Sequence, residues 1–262
     1  MSPKLIKVMN KTMKKLSFSI LLLSLLWACN SPQKEIVKIT GAQLPVTDSI
    51  LGDQTITDSI APYKLKVEKE MNTEISFTPV DLTRLDGDLE SSLGNLMADI
   101  CYEKSNLIFE SRTNKTVDFA MFNYGGIRAG ITAGPITNMN AFKLMPFENS
   151  LVVVELTAEK IEELVNYLMK ANTAHPLSKQ VQLTLKGNSY SFAINGKTLD
   201  KNKTYFVATS DYLQGGGDNM NFFKNPVSLF NTDYKVRNAL IDYFKENDTI
   251  NVALDGRFKR LN

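Results

Sequence analysis

The chain has 262 residues, 43% hydrophobic and 22% charged, with 14 Gly and 9 Pro, a globular balance that excludes a disordered tail, a collagen-like fibre and a coiled-coil rod. Thirty basic residues against 28 acidic ones give +2, but five lysines (Lys4, Lys7, Lys11, Lys14, Lys15) lie in residues 1–28, which hold no acid. The remainder sets 25 basic against 28 acidic residues, a net −3, so the electrostatic footprint of a nucleic-acid binder is missing.

The basic stretch ending at Lys15 leads into an apolar run from Leu16 to Ala28, too short to span a bilayer comfortably and built like a signal peptide. Its ending, Leu26-Trp27-Ala28-Cys29, resembles a bacterial lipobox. A buried core helix or a simple cleavable signal are the competing readings. The expectation is a signal peptide over 1–28, lipidation at Cys29, a tether over 29–56 and one folded domain over 57–262. The protein would then be exported and held at the membrane, periplasmic or cell-surface, by a lipid anchor. With Cys29 acylated, Cys101 is the one remaining thiol. Lying in a helical pattern with no histidine nearby in sequence, it reads as a small core hydrophobe rather than a nucleophile.

A helical pattern runs from Ile60 to Met71, and the β-branched stretch Thr73–Val80 reads as a strand. Glu90 to Tyr102 places Leu93, Leu96 and Ile100 on one helical face, with Ser91 or Ser92 as N-cap. Val117–Phe122 is a short buried strand running into Asn123-Tyr-Gly-Gly-Ile-Arg128. Ser150–Leu156 is a strand, and Thr157 caps a helix whose Ile161, Leu164, Val165 and Leu168 form an apolar stripe. Further strands are expected at Gln180–Lys186, Ser189–Ile194 and Thr204–Ala208, and Val236–Phe244 closes the fold as a helix. Interleaved strands and helices imply an α+β (mixed α/β) fold with a mixed central sheet and packed helices.

Two glycine turns can carry chemistry. In the first, Gly125 and Gly126 allow close backbone approach, so that amides and the Arg128 guanidinium face an anion; a tight turn with a solvated arginine is the equal alternative. The second, Gln214-Gly-Gly-Gly-Asp218, lacks the Gly-Lys-Ser/Thr of a P-loop. Its Gly216 region lets the Asp218 carboxylate approach a pair of hydroxyls, as on a ribose, with Tyr212 as a stacking face. A flexible hairpin followed by a helix cap is the plainer reading. Phe147 taken alone is a core phenylalanine. The sole histidine, His175, falls in a loop after a helix, at the surface or in a local hydrogen bond. One histidine does not furnish a dimetal hydrolase site, and neither Gly-x-Ser-x-Gly nor a Cys/His pairing is present.

Taken together, Glu90-Ser-Ser-Leu-Gly-Asn-Leu96, Asn123-Tyr-Gly-Gly-Ile-Arg128, Met145-Pro-Phe-Glu-Asn149 and Tyr212-Leu-Gln-Gly-Gly-Gly-Asp-Asn-Met220 resemble the C-terminal substrate-recognition domain of the 5'-nucleotidase and UDP-sugar hydrolase family, in consistent order over about residues 58–245. The resemblance implies that Phe147 and Tyr212 sandwich a nucleobase. Asn123 would bond its edge, Asp218 the ribose hydroxyls, and Arg128 would face the phosphate, with Gly125, Gly126 and Gly216 shaping the turns. It also implies that the catalytic dimetal centre belongs to a separate metallophosphatase domain. No catalytic residue, metal or cofactor is therefore expected in this chain, divalent metals belonging to a partner metallophosphatase chain. Two departures stand out: Gly87 occupies the place of a phosphate-binding arginine, with Arg84 three residues away, and tyrosine replaces the commoner phenylalanine at 212. The expected function is the nucleotide-recognition half of a split 5'-nucleotidase that binds a nucleoside monophosphate or nucleotide sugar. A stand-alone nucleoside-binding lipoprotein and a degenerate structural remnant are the alternatives.

Overall fold

The protein is described by a computed structural model that covers residues 9–10, 13–17, 36–187 and 189–261. Cys29 and most of the expected signal segment lie outside the described residues. Among those described, no helix is long and apolar enough to cross a membrane. The chain divides into two units, Met1–Asp53 and Gln54–Asn262. In the first, residues 36–53 are exposed and form neither helix nor strand.

The second unit opens with α1 (Gln54–Met71), which starts six residues before the expected Ile60. Side chains set this earlier start: Gln54 Nε2 donates to Asp58 Oδ1 at 2.8 Å and Ser59 Oγ to the Thr55 carbonyl at 2.8 Å. No residue of α1 is buried. Strand β1 (Glu74–Thr78) pairs antiparallel with β3 (Gly134–Thr137). Neither β3 nor the following α3 (Asn138–Leu144) was expected from the sequence, although Thr137 and Asn140 form a capping box at the start of α3. Helix α2 (Ser92–Thr113) starts at Ser91, whose Oγ accepts the Gly94 amide at 3.1 Å. Cys101 on α2 is fully buried, and burial pushes its thiol pKa far above the usual range, consistent with a core role.

The main sheet has the order β2 (Phe119–Ala120), β8 (Thr204–Ser210), β4 (Ser150–Thr157), β9 (Ser228–Lys235). It is mixed: β2 runs parallel to β8, while β4 is antiparallel to both β8 and β9. Helix α2 contacts all four strands, and Phe109 on α2 meets Phe206 of β8 and Phe230 of β9 at centroid distances of 5.1 and 5.2 Å. Helix α4 (Ala158–Ala171) buries Ile161, Leu164, Val165 and Leu168, the expected stripe. Helix α6 (Val236–Glu246) contacts α2.

A second mixed sheet, β10 (Phe258–Leu261), β5 (Val181–Lys186), β6 (Ser189–Ile194), β7 (Lys197–Thr198), corrects the expectation that α6 ends the fold. The chain continues past α6 and adds β10 parallel to β5. The segment leading into β10 is clasped by the Glu90-to-Asn95 motif. Glu90 Oε1 accepts the Gly256 amide at 2.8 Å, and Glu90 Oε2 accepts Asn95 Nδ2 at 2.9 Å and the Asp255 amide at 3.3 Å. Buried Arg257 adds bonds to both Asp99 oxygens, at 2.9 and 3.0 Å, and to the Leu177 carbonyl at 2.8 Å. Glu90→Gln would aim an amide donor at these donors. We expect a stability loss of about 1–3 kcal/mol in urea unfolding, with faster amide exchange confined at first to residues 253–261.

Candidate functional site

Strand register decides which loops meet. Ala120 of β2 lies opposite Ala208 of its parallel neighbour β8, so both strands leave the sheet at the same end. Leu151 of antiparallel β4 pairs with Ser210, and Ser150 with Lys235, so the segment entering β4 and the start of α6 arrive there too. Carboxyl ends of parallel strands are the usual place for a ligand crevice. Here the crevice is a cavity of about 270 Å³, lined among others by Asn123, Arg128, Phe147, Tyr212 and Asp218.

Seven of the eight residues expected to bind ligand therefore share one cleft, Gly125 and Gly126 included. Gly216 does not line it. It adopts φ +90° with its α-carbon face against the Lys224 side chain, so its part is to turn the chain toward Asp218. Gly126 and Gly217 serve by close approach. A Cβ on Gly126 would fall 2.7 Å from Asn123 Oδ1, and one on Gly217 would fall 2.4 Å from the Tyr212 ring.

Phe147 and Tyr212 remain 39% and 47% exposed, so neither ring is consumed by the core. Tyr212 stands in the short helix α5 (Asp211–Gln214), capped by Ser210 Oγ on the Leu213 amide. Asp218 follows in the left-handed region, φ 52°. Its Oδ2 accepts Asn123 Nδ2 at 2.6 Å, its Oδ1 accepts the Tyr212 hydroxyl at 2.9 Å, and its carbonyl accepts the Tyr167 hydroxyl at 3.0 Å. The carboxylate thus joins the two glycine turns.

Arg128 is exposed, donates to the Gly125 carbonyl at 3.3 Å and sits 5.8 Å from the Phe147 ring centroid. Among the described residues no ion pair engages it, so its charge faces the cleft mouth uncompensated. Arg84 reaches the same turn: its Nη1 donates to the Tyr124 and Ile127 carbonyls at 3.1 and 2.7 Å, and its guanidinium lies 4.4 Å over the Tyr124 ring. Position 87 could not hold a side chain on this backbone, since a Cβ there would lie 2.3 Å from the Glu90 carbonyl oxygen.

Two contributors escaped sequence reasoning. Arg237, buried on the first turn of α6, donates to the Met145 and Phe147 carbonyls at 3.4 and 3.3 Å, pairs with Glu148 and stacks 4.3 Å from the Phe142 ring. It fixes the loop that carries Phe147. His175 is buried rather than at the surface, and its Nδ1 accepts the Tyr124 amide at 3.1 Å. Its ring lies 5.4 Å from Tyr167, so it braces both turns from behind. Burial lowers its pKa to about 4 against an ordinary 6.5, partly opposed by Asp218.

These features define an α+β domain with an aromatic, carboxylate-bearing crevice at the strand ends. The family described as "5'-nucleotidase, C-terminal domain" matches residues 74–225, more than half of the chain, and the chain belongs to that family. It is 27% identical over 216 residues to protein UshA of Escherichia coli (strain K12), covering 79% of this chain and 37% of the relative. It is 28% identical over 232 residues to cell wall protein Lmo0130 of Listeria monocytogenes, covering 76% and 28%. Among solved structures, a 5'-nucleotidase precursor from Thermus thermophilus shares the fold with a TM-score of 0.63 at 24% identity, covering 80% of this chain and 44% of that one. The chain spans less than half the length of these relatives.

The neutral His175 makes a pH prediction. Because its folded pKa lies below its unfolded one, the unfolded state binds the extra proton as pH falls from 6.5 toward 4, and the native state loses stability over that window. Between pH 7 and pH 5 the loss is about 2 kcal/mol. In His175→Asn that part of the pH dependence should disappear, as read from urea midpoints at the two pH values.

Proposed function

We propose that the cleft is a nucleotide-recognition site and that the protein is the binding half of a two-chain 5'-nucleotidase. The observation that carries this reading is the meeting of Phe147 with Tyr212 and Asp218 around one cavity, although Phe147 lies 65 residues before Tyr212 in sequence. Two exposed aromatic rings suit a flat heterocycle, and stacking contributes about 1–3 kcal/mol per base. A carboxylate at the cleft wall suits sugar hydroxyls, and Asn123 suits a base edge. Arg128, with no acidic partner among the described residues, suits a 5'-phosphate. The names borne by the family and by several relatives support the same substrate class.

In this reading hydrolysis belongs to a separate metallophosphatase chain that supplies the divalent metals and the attacking water. The present chain binds and orients the nucleotide. An exported location fits both the signal-like N-terminus and the cell-wall designation of the Listeria relative, and lipidation at Cys29 would hold the protein at a membrane.

Calorimetry with AMP, adenosine and UDP-glucose tests the binding step. Phe147→Ala should weaken adenosine and AMP alike by about tenfold. Arg128→Ala should leave adenosine unchanged while weakening AMP by about tenfold or more. Equal loss for both ligands would remove the phosphate role. The two-chain reading predicts that mixing with a cognate metallophosphatase chain accelerates phosphate release from AMP. Binding without any such gain would favour a stand-alone nucleoside binder, and no binding at all would favour a structural remnant.

A further inference from the structure

The Asp218 carboxylate is already engaged in the ligand-free protein. Asn123 Nδ2 occupies one oxygen at 2.6 Å and the Tyr212 hydroxyl the other at 2.9 Å. The two donors differ in what else they could do. The Asn123 amide is buried in its turn, beside Gly126, whereas the tyrosine is half exposed and its hydroxyl points back from the ring that forms the cleft wall. The Asp218 backbone is held in place: the Tyr167 hydroxyl bonds its carbonyl, and Gly216 and Asp218 both adopt the left-handed region. The Tyr212 ring is likewise pressed onto Gly217, where no side-chain atom intervenes. The neighbouring carboxylate raises the phenol pKa, which keeps the hydroxyl a donor at neutral pH.

We propose that the Tyr212 hydroxyl stands in for a sugar hydroxyl on Asp218 Oδ1, so that a ligand alcohol takes up that position only by displacing the phenol. This rests on the nucleotide reading of the cleft and deepens it to one residue that sets affinity. One incoming alcohol replaces one phenol bond there and leaves the balance near zero, since donor and acceptor types are conserved. Tyrosine at 212 is therefore an internal competitor for ligand hydroxyls. The ring and the hydroxyl have opposite effects on binding, the first attractive and the second competing.

The test separates them by titrating adenosine and 2'-deoxyadenosine into wild-type protein, Tyr212→Phe and Tyr212→Ala. Tyr212→Phe keeps the stacking face and frees Asp218, so both nucleosides should tighten by about three- to tenfold, the worth of one net hydrogen bond. Tyr212→Ala should weaken both. On an Asp218→Ala background Tyr212→Phe should have no effect, because the competition has lost its object; this cycle excludes a general structural effect of the missing hydroxyl. If adenosine binds wild-type protein and Tyr212→Phe binds it equally or more weakly, the hydroxyl is not a competitor and the inference falls, while the nucleotide reading stands. If neither nucleoside binds wild type or Tyr212→Phe, the nucleotide reading itself fails and the inference falls with it.

Discussion

The site depends on one short piece of parallel pairing, Phe119 and Ala120 of β2 against Val207 and Ala208 of β8. Two residues of strand are a weak element by themselves, yet all four are buried, and the pairing is extended on the β2 side. The Met121 amide donates to the Ala208 carbonyl at 3.0 Å, and the Phe122 amide to the Pro176 carbonyl at 2.9 Å. Because the partners are parallel, their carboxyl ends sit side by side, and the Asn123 and Tyr212 turns emerge as neighbours. An antiparallel pairing of the same residues would send the two turns to opposite ends of the sheet and leave Asp218 without Asn123.

Around that junction the backbone beside several cleft residues is held by side chains that do not themselves line the cavity. Arg237 anchors the carbonyls of the Phe147 loop, His175 and Arg84 hold the Asn123–Arg128 turn, and Tyr167 holds the Asp218 backbone. The clamps act on carbonyls and amides, a preorganisation of the backbone that leaves the cleft-lining side chains clear of them. It also explains a buried arginine beside an exposed glutamate. Arg237 stays buried because it spans two carbonyls, an aromatic ring and Glu148 at once, and a lysine could not present that planar fork.

How much of this could be read in the sequence varies by element. The helices at 92 and 158 and the strand at 150 were legible because their apolar periodicity reports burial directly, and Ser91 signalled a start that the Gly94 amide bond realises. Strands β3 and β9 were not. Gly134-Pro135 reads as loop, and β9 is an edge strand with a single buried residue, Thr232, and with exposed polar residues at Asn231 and Asp233, so it is defined by its partner β4 rather than by its own composition. Strand β10 has a single buried residue, Phe258, and owes its place to bonds that Glu90 and Asp99, more than a hundred residues away in sequence, make to the segment just before it. The cleft residues were legible only as a set. Phe147 alone carries no mark that distinguishes it from a core phenylalanine, whereas its motif in order with three others does. Arg237 and His175 left no local signal, since what they hold is backbone brought near by the fold.

Three polar side chains of the cleft are joined to one another before any ligand arrives. Asp218 accepts from Asn123 on one oxygen and from Tyr212 on the other, so a ligand group that takes the place of either donor exchanges one bond for another, and exchange is nearly neutral in free energy. On the proposed nucleotide reading, net affinity comes from what the empty site leaves unused: the exposed Phe147 and Tyr212 rings and the Arg128 guanidinium, which has no ion-pair partner among the described residues. On that reading the joined carboxylate supplies discrimination, because a ligand that breaks its bonds without replacing them leaves a carboxylate or an amide unpaired in the cleft wall, and the ring and hydroxyl of Tyr212 would carry the two effects on one residue.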